Sequence, residues 1–408
     1  DILTPVAGPD EVEPLVASGA DELYAGIFPD SWYARWGRGA WPNRRGPGPA
    51  NLRTVDEVVA LQRAAHAVDG GPREGQRAVP LYLAVNAPFY TDEQAAHLVD
   101  VLAEVHAAAP VDAFIISDPG FMALLRDRVP EASVFASTVT VALNAEAVRF
   151  LAEDLECARV ILSRHLDLRE IRTLRDAVPD VDLEVFLLND NCYFEEGFCS
   201  TTHTMPGFGV YCMTPWEVEV RGRDGQPIAD PEERARWDFL LDEHREFIRH
   251  LGSRGHGEGP TKMPLGPCGL CAIPELVELG IYSGKIVGRE ASLFRKLRSV
   301  QAVRYVRDSY LELRGGEPGL DSAAATEAKR RAIELRGDPA GCAAGYSCYY
   351  RPARQRDLVP LPTRPRGPRR PRHRAEAAHA APATLGPAGD GALAVRCDVP
   401  IAAARRKG

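Results

Sequence analysis

The chain has 408 residues, 45% of them apolar, and a formal net charge of −8, which is enough apolar content for one large core or two average ones. No stretch approaches the roughly 18 uncharged apolar residues that a spanning helix needs, and the opening DILTPVAGPDEVEP lacks a basic region followed by an apolar core, so a cytoplasmic protein without a membrane anchor is expected. Residues 351–408 hold 13 Lys/Arg against 4 Asp/Glu, which leaves residues 1–350 with 36 against 53 and a net charge of −17; an acidic body disfavours nucleic acid as a partner and favours a small-molecule substrate.

Strand-length apolar runs alternate with helical patterns from the start. Ile2–Ala7 precedes Glu11–Ser18, and Glu22–Ile27 precedes, after a long loop, Val55–Ala67. Val79–Val85 is followed by Asp92–Ala107, Ala113–Ser117 by Phe121–Arg128, and Ser133–Ala136 by Asn144–Leu151. Arg159–Leu162 leads to Leu168–Ala177, and Leu183–Leu188 to a cysteine-bearing loop. After an interruption come a helix at Ile273–Glu278, a strand at Lys285–Val287 and a helix at Leu293–Val306. Repeated strand–helix units imply a parallel sheet with right-handed crossovers, and eight of them suggest closure into a TIM-barrel-like (β/α)8 core, with a doubly wound open sheet as the alternative.

In a barrel the chemistry sits at the C-terminal ends of the strands. That places Asn86, Asp118, Ser137 with Thr138, Arg164, Asn189 to Cys192, and Arg289 with Glu290 at the mouth. Residues 28–53 form a long loop rich in Trp, Arg, Gly and Pro, a length that usually serves function. Residues 351–408 are Pro-, Arg- and Ala-rich without periodicity and read as a disordered basic tail.

The nine cysteines are 157, 192, 199, 212, 268, 271, 342, 348 and 397. An odd number without a secretion signal argues against a disulfide framework and for metal or redox work. The spacing Cys192-x6-Cys199-x12-Cys212 follows a strand directly, and Cys268 and Cys271 precede a helix. Four thiolates suit tetrahedral zinc or an iron-sulfur cluster equally, and spacing leaves the metal open. Three cysteines within 21 residues, in a loop with Gly and Pro, fit poorly with inert core thiols. His203 in that loop reads as exposed rather than as a ligand.

The order ADELYAG (20–26), LAVNAP (83–88), ISDPGF (116–121), ASTVTVALNAEAVRF (136–150), ILSRHLDLREI (161–171), the cysteine loop and IPELVELGIYSGKIVGRE (273–290) resembles the collagenase-like peptidase U32 family over roughly residues 1–306. Better understood members resemble oxygen-independent hydroxylases that carry a four-iron, four-sulfur (4Fe-4S) cluster on four cysteines and draw oxygen from prephenate. That resemblance implies Cys192, Cys199, Cys212 and Cys271 as cluster ligands, with Cys268 the rival for the last position. It also implies an iron-sulfur catalytic domain over 1–310, followed by a helical, cysteine-containing extension over 311–350. Val139 stands where the family usually has glutamine, and Val287 replaces the glutamate of Ile-Glu-Gly-Arg, which points to an altered substrate pocket.

Prephenate is a dicarboxylate, and guanidinium groups match carboxylates in a bidentate way. Arg164 and Arg289 are therefore the expected anion clamp, with Arg35 and Arg38 on the long loop closing over it and Ser137 and Thr138 lining the pocket. Asn86 and Asp118 are the candidates for orienting a hydroxyl or moving a proton, although Asp118 before Pro119-Gly120 equally fits a helix cap. The expected activity is oxygen-independent hydroxylation of a small molecule. Two other readings stay open: a peptidase, for which the sequence holds neither G-x-S-x-G nor H-E-x-x-H, and a non-catalytic cluster protein that senses redox state or serves a partner subunit.

Overall fold

Strands buried on both faces read as continuous apolar runs, and all eight expected strands form in the computed structural model, which describes residues 1–37, 39–68, 78–189, 217–222, 224–255, 266–315, 321–339, 342, 348–350 and 395–398. The strands are β1 (Ile2–Pro5), β2 (Glu22–Ile27), β3 (Asn51–Leu52), β4 (Leu81–Val85), β5 (Ala113–Ile116), β6 (Val134–Ala136), β7 (Arg159–Ile161), β8 (Asp182–Leu188), β9 (Glu217–Val220), β10 (Ser283–Ile286) and β11 (Val395–Asp398). The helices are α1 (Val12–Ala17), α2 (Asp30–Trp36), α3 (Val55–Ala67), α4 (Asp92–Ala108), α5 (Pro119–Arg128), α6 (Ala145–Arg149), α7 (Leu168–Ala177), α8 (Pro231–Gly255), α9 (Ile273–Glu278), α10 (Leu293–Arg314) and α11 (Ser322–Arg336).

The sheet order β1-β10-β8-β7-β6-β5-β4-β2, with β1 pairing back onto β2, closes eight parallel strands into a barrel. The open-sheet alternative falls with that last pairing. The short β3 adds to β2 from the long loop, which thus carries a helix (α2) and a strand that the sequence reading did not expect.

Helix starts follow local chemistry. Thr91 with Gln94 and Asp167 with Glu170 form capping boxes on α4 and α7, each satisfying two backbone N–H groups that a helix leaves free. Gly315 and Gly337 end α10 and α11 at φ of 70° and 66°, where a residue without Cβ is least strained.

Two compact units emerge. The first holds the barrel and runs over Asp1–Cys212 and Ser253–Arg354. Within it α11 packs on α10 through Tyr310, Ala324, Ala325 and Ala328, so the boundary expected at residue 310 falls inside α10. The second covers Met213–Gly252 and Gln355–Gly408; its described elements are most of α8 and the antiparallel pair β9–β11. The disorder expected of residues 351–408 lies outside the described residues, except that Val395–Asp398 is a strand. Among the described residues no helix is long and apolar enough to cross a membrane.

The barrel interior below the mouth is charged. Arg159 grips Glu22 at 2.8 and 3.0 Å and reaches Glu184 at 3.2 Å. Glu184 also takes Lys285 at 2.9 Å, while Ser283 and Tyr82 donate to Glu22 at 2.7 Å each. The guanidinium lies against the rings of Tyr282, Phe135 and Tyr82, and the ammonium over Tyr24. Two acids and two bases balance one another in a region that excludes water.

Replacing Arg159 by Ala removes the counter-charge of the buried Glu22 and one of the two bases on Glu184, so unfolding stability should drop by about 3–5 kcal/mol, read as the urea midpoint. An unchanged midpoint would dismiss the network as a determinant of the fold. Burial pushes the Glu22 carboxyl up, but the Arg159 charge and the hydrogen bonds from Arg159, Tyr82 and Ser283 outweigh it and hold it below its ordinary value of 4.5. The stabilisation is complete above that ordinary value and disappears as pH falls through the depressed one. Glu22→Gln should therefore flatten the acid side of a stability–pH curve.

Candidate active site at the barrel mouth

Strand geometry delivers most of the expected residues to one end of the barrel. Asn86, one residue past β4, donates from Nδ2 to Ser137 Oγ at 3.1 Å and accepts the Arg44 N–H on Oδ1 at 3.3 Å. Its carbonyl accepts from the Ser117 hydroxyl at 3.2 Å. Asn86 and Ser137 are thus brought together across two strands. Thr138 is buried and donates to the Leu162 carbonyl at 3.2 Å, which ties β6 to the loop after β7.

Asp118 is engaged as a cap. One carboxylate oxygen accepts from the N–H groups of Gly120 and Phe121 at 2.9 and 3.1 Å, and the other accepts from Tyr90 N–H at 3.0 Å. Both oxygens serve backbone donors, so the capping alternative describes its place and its structural task is to hold the α5 start against the loop after β4. Tyr90 fixes that loop in turn. Its hydroxyl lies 2.6 Å from the carbonyls of both Pro42 and Val85.

Arg289 is buried and spans the mouth to the long loop. It donates to Asn43 Oδ1 at 2.9 Å and to Asn51 Oδ1 at 3.3 Å. Asn43 donates to the Ile27 carbonyl at 2.7 Å and to Asn51 Oδ1 at 2.8 Å, and Asn51 donates to the Gly46 carbonyl at 2.8 Å. Asn43, Asn51 and Tyr90 were missed by sequence reasoning. The available signal was two asparagines inside a Gly/Pro-rich loop, a pattern that ordinary turn chemistry also produces. Room for Arg289 comes from Gly26, where a Cβ would stand 1.7 Å from Arg289 Nη1 and 2.2 Å from Asn51 Oδ1.

Arg164 lies 4.0 Å over the Phe186 ring, beside a small enclosed recess lined by Leu162, Ser163, Arg164, Phe186, Tyr349 and Tyr350. The two tyrosines come from beyond α11 and were not expected at the mouth. Their hydroxyls donate to the carbonyls of Asn189 and Phe186. Arg35 departs from expectation, being exposed on α2 and set over Trp36 at 5.9 Å. Arg38 lies outside the described residues. Val139 and Val287 are buried.

Cys192, Cys199 and Cys212 also lie outside the described residues, so the implied cluster is represented here by Cys271 and Cys268. Cys268 bridges Leu188, the last residue of β8, immediately before the cysteine loop begins. Cys271 is half-buried; burial, reinforced by the nearby Cys268, Cys342 and Cys348 thiols, pushes its thiol up to about 12. Among the described residues no three His, Cys, Asp or Glu side chains stand together as metal ligands. The thiols of Cys268, Cys342 and Cys348 lie near Cys271, and soft sulfur donors of this kind suit zinc and iron-sulfur alike.

Five arginines of the acidic body, whose net charge is −17, belong to this end of the molecule. Arg44, Arg45 and Arg53 belong to the long loop, and Arg164 and Arg289 to the strand ends. A polyanion responds to local surface, not to the sum over the chain. One serine–histidine contact also exists, Ser31 Oγ to His97 Nε2 at 3.0 Å. Burial and then the Arg35 charge hold that imidazole below its ordinary range, and no hydrogen bond reaches its other ring nitrogen among the described residues.

The sequence pattern described as peptidase family U32 matches residues 8–356. The tRNA hydroxylation protein P of Escherichia coli (strain K12) is 40% identical over 222 residues, covering 48% of this chain and 49% of that protein. The protein of the same name from Haemophilus influenzae is 30% identical over 225 residues, covering 48% of each. The chain spans about half the length of these curated relatives. A solved U32 peptidase aligns at a TM-score of 0.36 and 14% identity over 51% of this chain and 78% of that one, a likeness too slight to bear on function.

The Gly26 contact gives a direct test. Gly26→Ala should cost about 1–3 kcal/mol through overpacking. Adding Arg289→Ala should return much of that loss, so a double-mutant cycle read by thermal unfolding should show coupling; strict additivity would mean that Arg289 does not cross at Gly26.

Proposed function

The chain belongs to peptidase family U32, and from that premise we propose that it is an oxygen-independent hydroxylase whose acceptor is a nucleoside within an RNA. The observation that carries this reading is the arginine-bearing, polar mouth built on strand ends, considered with relatives named for tRNA hydroxylation. It replaces the small-molecule acceptor expected from net charge, because phosphate contacts depend on where cations stand.

In this reading Arg289, held by Asn43 and Asn51, binds a carboxylate of prephenate or a similar organic oxygen donor. Arg164 offers a second guanidinium beside the Tyr349–Tyr350 wall. Asn86, already aligned by Ser137 and the Arg44 N–H, orients the hydroxyl or carbonyl that reacts. Asp118 acts as a positioning residue through Tyr90. Cys192, Cys199, Cys212 and Cys271 would hold a four-iron, four-sulfur cluster, which supplies redox and Lewis-acid chemistry when bound. The aromatic α2 segment with Arg35 and Trp36 suits contact with unstacked bases.

The peptidase reading rests on the Ser31–His97 contact, which lacks a group to orient the histidine, as hydrolytic triads require. Protein purified without oxygen and incubated with RNA and prephenate should yield a nucleoside heavier by one oxygen atom on mass spectrometry of the digested RNA. Arg289→Ala should lower kcat/KM for the donor by about 10- to 100-fold, mainly through KM, as loss of a charged hydrogen bond predicts. Product from a small molecule but not from RNA would refute the acceptor assignment. Peptide cleavage abolished by Ser31→Ala would refute the hydroxylase itself.

A further inference from the structure

Strands β6 and β7 end alike. The Ser137 hydroxyl accepts the Val139 N–H at 3.4 Å, and the Ser163 hydroxyl accepts the His165 N–H at 3.3 Å, a serine turn that closes two residues ahead in each case. Both serines are buried, at 1% and 3% exposure. A serine hydroxyl has one proton to give and two lone pairs with which to accept. The Arg44 N–H on Asn86 Oδ1 orients that amide so that Nδ2 donates to Ser137 at 3.1 Å, which fills the second lone pair of the Ser137 hydroxyl. Among the described residues neither serine proton has an acceptor. We propose that Ser137 and Ser163 are paired hydroxyl donors for one carboxylate of the organic oxygen donor, an assignment that rests on the barrel mouth being the substrate site of the proposed hydroxylase.

The pleat puts both hydroxyls on the interior side. Side chains alternate along a strand, and Phe135 and Arg159 point into the barrel, where the ring covers the guanidinium. Ser137 lies two residues beyond Phe135, and Ser163 four beyond Arg159. Sheet pairing continues past both strands, with the Ser137 N–H on the Ile116 carbonyl at 2.7 Å and the Leu162 N–H on the Glu184 carbonyl at 2.9 Å, so the alternation carries on. Ala136 pairs with Val160, which sets Ser163 two residues above the position level with Ser137. With about 4.8 Å between strands and about 3.3 Å per residue, their Cα atoms stand about 8 Å apart, a gap that one carboxylate can bridge. The turn that presents Ser137 is firmly held. Thr140 donates to the Ser137 carbonyl from its N–H at 2.9 Å and from its hydroxyl at 2.8 Å. Val141 then closes the turn at φ 54° and ψ 49°, a region that β-branched residues occupy only where their surroundings enforce it.

A buried O–H that donates to nothing has lost the water it would otherwise bind, and a ligand that accepts from it recovers that loss. A carboxylate accepts only, through two oxygens at fixed spacing, and hydrogen bonds to a charged acceptor are the stronger kind. The proposed function gives one carboxylate of the donor to Arg289, which follows β10, two strands round the ring from β7. The serines at the ends of β6 and β7 receive the other. They bring no charge, so they select by the number and direction of acceptor oxygens.

Prephenate binding to the full chain can be measured by titration calorimetry without RNA, so that no turnover enters. Ser163→Ala should raise the Kd roughly 10- to 100-fold, as loss of a hydrogen bond to a charged group predicts, and Ser163→Thr, which keeps the hydroxyl, should regain most of the affinity. Ser137→Ala should weaken binding to a similar degree, and the double variant should lose less than the two single losses combined, because one carboxylate serves both. Ser163 accepts from a single backbone N–H, so its variants carry the test if Ser137→Ala, which also strands Asn86, fails to fold. An unchanged Kd in the alanine variants, a Ser163→Thr protein as weak as Ser163→Ala, or no prephenate binding by the unaltered chain would each overturn the assignment. The earlier reading is judged by the oxygenated nucleoside instead. A chain that binds prephenate through these serines yet modifies no RNA refutes that reading alone, and one that modifies RNA while the alanine variants bind prephenate normally refutes this one alone.

Discussion

The salt-bridge network of Glu22, Arg159, Glu184 and Lys285 is the constraint on which the barrel rests. A closed eight-stranded sheet must fill its interior with side chains, and here four of them carry charge. Each ion is costly to strip of water, and only mutual pairing with additional donors from Ser283 and Tyr82 offsets that cost. The four residues come from β2, β7, β8 and β10, so the charges meet only if the ring closes in the right register. Misregistered closure would leave unpaired ions inside, which is a physical reason for a unique arrangement.

That constraint frees the opposite end. With the strands pinned below, their C-terminal ends can carry polar side chains whose packing contributes less, and the mouth is built from such groups. Arg289 illustrates the division. It is held by two neutral amides from the long loop, whereas Arg159 is held by carboxylates. The carboxylates fix Arg159 inside the barrel, and the amide oxygens orient Arg289 toward the long loop.

The long loop and the Cys348 segment play matching roles at the mouth. One docks through Asn43, Asn51 and the carbonyl of Pro42, the other through Cys268 and two tyrosine hydroxyls. Neither belongs to the repeating strand–helix unit, and both bring side chains to the place where the barrel presents its strand ends. Fold and site therefore draw on different parts of the chain: the repeat makes the platform, and the insertions furnish it.

The sequence by itself determined the eight strands and most of the helices between them, because apolar runs and helical periods are local properties that each segment carries alone. Asn86, Ser137, Arg164 and Arg289 were legible for the same reason, each lying just past a strand. Only the tertiary structure decided that Asp118 also accepts from Tyr90, that Arg289 passes over Gly26 to Asn43 and Asn51, and that Cys348 lies beside Cys268. Those pairings join residues separated by tens to hundreds of positions, and a side chain's partner across such a distance is fixed by how the ring closes, which no local pattern records.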